Sequence, residues 1–71
     1  MDSQNKRVMQ YLIDFGSITQ LEALKDLGVM RLASRINDLR SAGENIIGDF
    51  EEVTNRYGET VRIKRYRLGV K

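Results

Sequence analysis

Apolar residues recur at helical spacing through the first two thirds of the chain and at strand spacing through the last third. In residues 4–15 (QNKRVMQYLIDF), Val8 and Leu12, and Met9 and Ile13, stand four apart, the spacing of a single helix face. This predicts a helix over about 3–15, capped by Asp2 or Ser3, with Tyr11 at the edge of the stripe and Gly16 ending it in a left-handed conformation. Residues 16–19 then form a short extended link with Ile18 pointing inward. Thr19-Gln20-Leu21-Glu22 has the form of a capping box, in which the Thr hydroxyl accepts from a backbone N–H and the Glu carboxylate reaches back to the Thr N–H. It opens a second helix over about 20–27, with Leu21, Leu24 and Leu27 on one side and Gly28 as its stop. The third helix, over about 30–42, places Leu32, Ile36 and Leu39 in one narrow stripe with Val29 and Ala33 beside it, and Gly43 ends it.

From Asn45 onward the residues are β-branched and aromatic. Residues 45–53 and 60–68 predict two strands, and Asn55 and Gly58 supply the turn between them. Val61 and Ile63 alternate with Arg62 and Lys64, but Tyr66 and Leu68 form an inward pair in the opposite phase. A bulge near Lys64-Arg65 would reconcile the two. The order is helix, short strand, helix, turn, helix, hairpin. Neither an isolated helix pair nor a lone hairpin buries enough surface to fold. Together they make one α+β domain spanning 1–71, a winged helix-turn-helix, with a core of Val8, Leu12, Ile13, Ile18, Leu21, Leu24, Leu27, Leu32, Ile36, Leu39, Ile46, Ile63 and Leu68.

Composition narrows the chemistry. The 71 residues include no cysteine and no histidine, so disulfides, thiolate metal sites and the usual general base near neutrality are absent. No phosphate loop, nucleophile motif or metal-ligand spacing occurs, and neither an enzyme nor a cofactor is expected. No apolar run approaches the roughly 20 residues of a membrane span, the N-terminus lacks a signal-peptide core, and a cytoplasmic location is expected. The net charge of +2 conceals an asymmetry. Residues 1–55 carry six cations against nine carboxylates, a net −3, and residues 56–71 carry six cations against one carboxylate, a net +5. A basic tail beside a near-neutral body suggests an anionic partner.

Double-stranded DNA is the partner that the helix-turn-helix adds to this picture. An α-helix fits the major groove, and its outward side chains then meet base edges. On the third helix those are Met30, Arg31, Ser34, Asn37 and Asp38, with Arg35 nearer the core edge. Arg31 suits guanine, Asn37 suits adenine, and Ser34 permits close approach of the backbone. A solvated helix face accounts for the same residue types. Thr19 and Gln20 begin the second helix, where backbone N–H groups favour a phosphate, although capping alone also explains Thr19. Arg56 and Tyr57 at the hairpin tip, with Arg62, Lys64 and Arg65 on the return strand, suit the minor groove or backbone. A charged strand that resists edge-to-edge pairing is the alternative. Asp49, Glu51 and Glu52 argue against the first hairpin strand lying flat on DNA.

Gly16-Ser17-Ile18-Thr19 with Glu22-Ala23, Leu27-Gly28-Val29, the run Arg31-Leu32-Ala33-Ser34-Arg35-Ile36-Asn37-Asp38-Leu39-Arg40 with Gly43, Thr54-Asn55-Arg56-Tyr57-Gly58 and Arg65-Tyr66-Arg67-Leu68 together carry a resemblance. The chain resembles the small winged helix-turn-helix domains common in bacteriophage and prophage genomes. The resemblance implies DNA binding in transcription regulation, replication or integration control, within a bacterial host cell. Two further expectations stay open. One is a homodimer, since one module reads few bases. The other is a protein-binding winged helix that modulates a host or phage protein.

Overall fold

The computed structural model describes residues 3–69, so Asp2, one of the two expected caps of the first helix, lies outside the described residues. Helix α1 spans Ser3–Phe15 and buries Asn5, Val8 and Leu12. Ile13, expected in the core, is exposed. It stands about 100° around the helix from Leu12, and the small core reaches only as far as half-buried Met9 on that side. Gly16, at φ +88°, turns the chain into strand β1, Ser17–Thr19.

Helix α2 starts as an α-turn over Gln20–Glu22 and continues as a π-turn over Ala23–Leu27. Its capping box is complete: Glu22 N–H donates to Thr19 Oγ1 at 3.2 Å, and Thr19 N–H donates to Glu22 Oε1 at 2.9 Å. The predicted leucine face is not the buried one. Ala23 is fully buried and Leu27 half-buried, whereas Leu21 and Leu24 are exposed. The small Ala23 lets α2 lie close on the core, and the wide π-turn breaks the 3.6-residue phase that would align the three leucines. Gly28, at φ +69°, reverses the chain so that Val29 N–H returns to the Ala23 carbonyl.

Helix α3 is Leu32–Ser41, shorter than predicted, with Met30 and Arg31 in the turn that precedes it. Leu32, Ile36 and Leu39 form its buried stripe as expected. Gly43, at φ +99°, closes it with Glu44 N–H on the Leu39 carbonyl and Gly43 N–H on the Arg40 carbonyl.

Strands β2 (Ile46–Thr54) and β3 (Thr60–Leu68) form an antiparallel hairpin, and β1 adds to the free edge of β3, giving the order β1-β3-β2. The register runs unbroken from Ile46↔Leu68 to Thr54↔Thr60, so the expected bulge is absent. The phase change has another cause. Beside β1 the sheet has three strands, and its inward face carries Ile18, Ile46 and Tyr66. Beyond Thr19 only a two-stranded ribbon continues, and such ribbons twist strongly. Val53 and Ile63 of its other face line one cleft together with Lys64 and Tyr66. The ribbon has therefore turned, and a side chain of either parity can face the body.

The core is Val8, Leu12, Ile18, Ala23, Val29, Leu32, Ile36, Leu39, Ile46 and Tyr66. Ala23, Val29 and Tyr66 replace the predicted Leu21, Leu24 and Ile13, while Leu27, Ile63 and Leu68 are half-buried. The result is three helices and an antiparallel hairpin in the arrangement of a winged helix-turn-helix, with β2 and β3 as the wing. Among the described residues no helix is long and apolar enough to cross a membrane.

Candidate nucleic-acid interface

The helix-turn-helix is held by one side chain. Gln20 donates through Nε2 to the Val29 carbonyl at 2.9 Å and accepts through Oε1 from Leu32 N–H at 2.8 Å. The second bond caps α3, whose N-cap residue Arg31 makes no side-chain cap of its own. Gln20 therefore has its side chain committed to the turn, and Thr19 is buried with its hydroxyl committed to the capping box.

With the core stripe of α3 inward, Ser34, Asn37 and Ser41 point away from it. Asn37 and Ser41 are exposed and Ser34 is half-buried. Met30 and Arg31 are exposed just before the helix. The two flanks differ. On the α1 side, Arg35 pairs with Asp38 at 3.4 Å, and Asp38 also accepts from buried Asn5 Nδ2 at 3.3 Å. These contacts tether α3 to α1. On the wing side stand Ala33 and Arg40, and Arg40 donates through Nε and Nη2 to the Ile46 carbonyl at 3.0 and 2.9 Å.

The wing tip is shaped by Asn55, whose Oδ1 accepts from the N–H groups of Tyr57 and Glu59, with Gly58 at φ +79°. Arg56 and Tyr57 stand exposed at this end. Below the tip the two wing faces divide the charge. One carries Asp49, Glu51, Arg65 and Arg67, and its acids are neutralised: Arg67 meets Asp49 at 3.0 Å, and Arg65 meets Glu51 at 3.2 Å. Two of the three acids of β2 that argued against DNA contact, Asp49 and Glu51, thus spend their charge on neighbouring arginines.

The other face carries Phe50, Arg62, Lys64 and Tyr66, with Glu52 opposite Arg62 as its one carboxylate. Here cations and rings alternate. The Arg40 guanidinium lies 5.8 Å from the Tyr66 ring centre, and Lys64 Nζ lies 5.7 Å from Tyr66 and 5.4 Å from Phe50. Arg62 stacks 4.3 Å from the Phe50 ring centre. Among the described residues, no carboxylate lies within 4.0 Å of Arg40, Lys64 or Arg62. Gly48 makes room for the arrangement: a Cβ there would come 2.5 Å from Lys64 Cε and 3.3 Å from Tyr66 Cε1.

Between the start of α2, the start of α3 and the wing lies an open cleft of about 450 Å³. Its walls include Leu21, Leu32, Ala33, Val53 and Ile63, and Thr19, Gln20 and Lys64 border it. The fold thus brings Thr19, Gln20 and Lys64 together around one apolar cleft. It sets Met30, Arg31, Ser34 and Asn37 on the outward side of the helix-turn-helix and Arg56 and Tyr57 at the far wing end. Sequence reasoning overlooked Arg40 and Phe50. Arg40 falls on the wing flank of α3, and Phe50 falls on the same strand parity as Lys64 and Arg62 once the register is unbroken. Among the described residues no cluster of three or more Asp or Glu is placed to hold a metal ion.

Comparison with known proteins agrees with this architecture. A family model described as a winged helix-turn-helix domain matches residues 3–71. No match was found among curated proteins. With nearly the whole chain matched, and with α2, the Gly28 turn, α3 and the wing in place, the chain belongs to the winged helix-turn-helix domain family, a DNA-binding fold.

Proposed function

We propose that the chain binds double-stranded DNA as a single domain, with α3 in the major groove and the wing on the adjacent backbone or minor groove. The observation that carries this reading is the line of unpaired cations Arg40, Lys64 and Arg62, held over Tyr66 and Phe50 beside α3. Cations without carboxylate partners release counterions from a phosphate backbone, whereas paired ones have already spent much of their field. In this reading Arg31, Ser34 and Asn37 reach base edges, with Met30 beside them. Arg35 and Asp38 lie at the margin, where their mutual pairing orients them. Gln20 offers its backbone N–H rather than its side chain to a phosphate, and Thr19, whose hydroxyl and N–H are both spent in the capping box, fixes the start of α2 behind it. Lys64, Arg62, Arg56 and Tyr57 follow the strand outward along the wing. The role we infer is that of a small phage or prophage regulator, or a replication or recombination accessory factor, in the cytoplasm of a bacterial host. The resemblance of the Arg31–Arg40 run supports that assignment. A homodimer would extend the reading to two half-sites.

The test is fluorescence anisotropy with labelled duplex DNA over a salt series. Each phosphate contact contributes about −0.9 to the slope of log K against log salt, so Arg62→Ala with Lys64→Ala flattens the slope by about 2. Arg31→Ala lowers affinity for a selected site more than for random duplex. No binding at low salt would sink the reading. The apolar cleft favours a second one, a protein partner that buries Leu21, Val53 and Ile63. Host-lysate capture that survives nuclease and high salt, and is lost in Leu21→Asp, would replace the first reading with this one.

A further inference from the structure

Arg65 belongs to the basic tail and to the return strand of the wing, yet all three of its guanidinium nitrogens are engaged. Its Nε and Nη2 form a two-pronged contact with Glu51 Oε1 and Oε2 at 3.3 and 3.2 Å. Its Nη1 donates to Glu22 Oε1 at 3.2 Å and to Ser17 Oγ at 3.1 Å. One guanidinium therefore joins β2, β3, β1 and the first turn of α2. Its pKa is raised further, first by its hydrogen bond to Glu51, with burial opposing and the charges of Glu22 and Glu51 adding to the rise.

Glu22 Oε1 is also the oxygen that accepts Thr19 N–H in the capping box. The next contact in the series is Gln20, which fastens the start of α2 to the start of α3. A series of links thus runs from the wing through Arg65 and Glu22 to the Thr19 backbone and, one residue further along the chain, to Gln20 in the helix-turn-helix. Beyond Thr19 the wing is a two-stranded ribbon with no third strand beside it, and its outer positions are exposed on both faces. At its base Arg40 ties α3 to the Ile46 carbonyl of β2, but further out an isolated two-stranded ribbon is a soft element, and Arg65 is the residue that reaches Glu51 there.

We propose that Arg65 is a positioning residue, not a phosphate-contacting cation: through Glu51 and Glu22 it sets the angle between wing and α3 so that both meet one duplex. The proposal rests on the DNA-binding reading. Its value is preorganisation, since a wing already at its bound angle loses less freedom on binding.

The proposal differs in sign from simple electrostatics. Removing a carboxylate from a DNA-binding surface raises affinity by charge alone. Glu51→Gln instead lowers it here, by roughly 3- to 10-fold, because the angle is no longer held. Arg65→Lys keeps the charge but not the two-pronged contact, and lowers affinity to a similar extent. The double variant Glu51→Gln with Arg65→Lys loses no more than about twofold beyond either single change, as expected for residues acting through one contact. Far-UV circular dichroism confirms that each variant folds, and Glu51→Gln, at a partly exposed position, serves if the Arg65 variants do not.

Wing position is read separately, without DNA. The chain contains no cysteine, so Lys25→Cys and Thr60→Cys accept spin labels cleanly. The distance distribution between them is narrow in the parent and broadens with Glu51→Gln. Affinity of Glu51→Gln equal to or above the parent overturns the proposal, and so does an unbroadened distribution. A parent that binds no DNA, with a distribution that still broadens, defeats the DNA reading and leaves the clamp on wing angle standing.

Discussion

Gln20→Ala tests the part of the fold on which the helix-turn-helix depends. The substitution removes the donor to the Val29 carbonyl at 2.9 Å and the acceptor from Leu32 N–H at 2.8 Å. Each such bond contributes about 0.5–1.5 kcal/mol net. Gln20 is exposed, so water partly replaces both partners, and each bond falls at the low end of that range. The expected loss is about 1 kcal/mol in all. For a domain of this size that is a fall in Tm of about 4–8 °C. In urea, with an m-value near 1 kcal/mol/M, it is a midpoint shift of about 1 M. Far-UV circular dichroism follows both transitions. Gln20→Glu is also less stable than the parent, since it keeps an acceptor for Leu32 N–H but turns an oxygen toward the Val29 carbonyl. The salt slope of DNA binding stays at the parent value, because the side chain has no phosphate to contact. Stability of Gln20→Ala within about 0.2 kcal/mol of the parent would refute the reasoning. So would a flattened salt slope at unchanged stability, which would return Gln20 to the DNA surface.

Three further outcomes follow from single contacts. Tyr11 donates to Asp26 Oδ2 at 2.7 Å, and its pKa is pushed up to about 12, first by that hydrogen bond, then by burial and by the charges of Asp26 and Glu22, with Arg65 opposing. A folded pKa above the unfolded value of about 10 favours the neutral phenol, so this stabilisation is complete below pH 10 and is lost between about 10 and 12. Tyrosinate absorbance therefore shows the Tyr11 phenol titrating late, and Asp26→Ala returns it toward 10. Arg40→Met removes two donors from the Ile46 carbonyl and the cation over Tyr66, and thermal melts show a loss of about 1–2 kcal/mol. Gly28→Ala meets no atom within 4 Å but must adopt φ +69°, so its loss of about 1–2 kcal/mol, read by urea denaturation, is backbone strain alone.

The helices, the turn glycines and the hairpin were legible because their signals are local. Thr19 and Glu22 are three residues apart, and both capping bonds form as expected. Gly16, Gly28 and Gly43 each end a helix at positive φ. The stripe of α3 was legible from its period alone. The readings that failed needed knowledge of what lies opposite. Leu21, Leu24 and Ile13 are apolar and periodic, but the core takes Ala23, Val29 and Tyr66 in their place. The expected bulge was inferred from side-chain phase, and phase alone does not distinguish a bulge from a ribbon that turns.

The candidate interface divides along the same line. Ser34 and Asn37 follow from the helical period alone and point away from the core, while Arg31, expected on the same helix, lies exposed in the turn before it. The sequence also showed that the tail is basic. It contained no indication of which of those cations are spent, because ion pairs form between residues such as Arg65 and Glu22, 43 positions apart. Only the folded sheet, through diagonal contacts across its strands, pairs Arg65 with Glu51 and Arg67 with Asp49 and leaves Arg62 and Lys64 over aromatic rings. Periodicity and capping act within a turn or two of chain, so the sequence by itself determined the elements and their order. Charge neutralisation, burial and wing angle depend on partners brought close by folding, and those the tertiary structure alone decided.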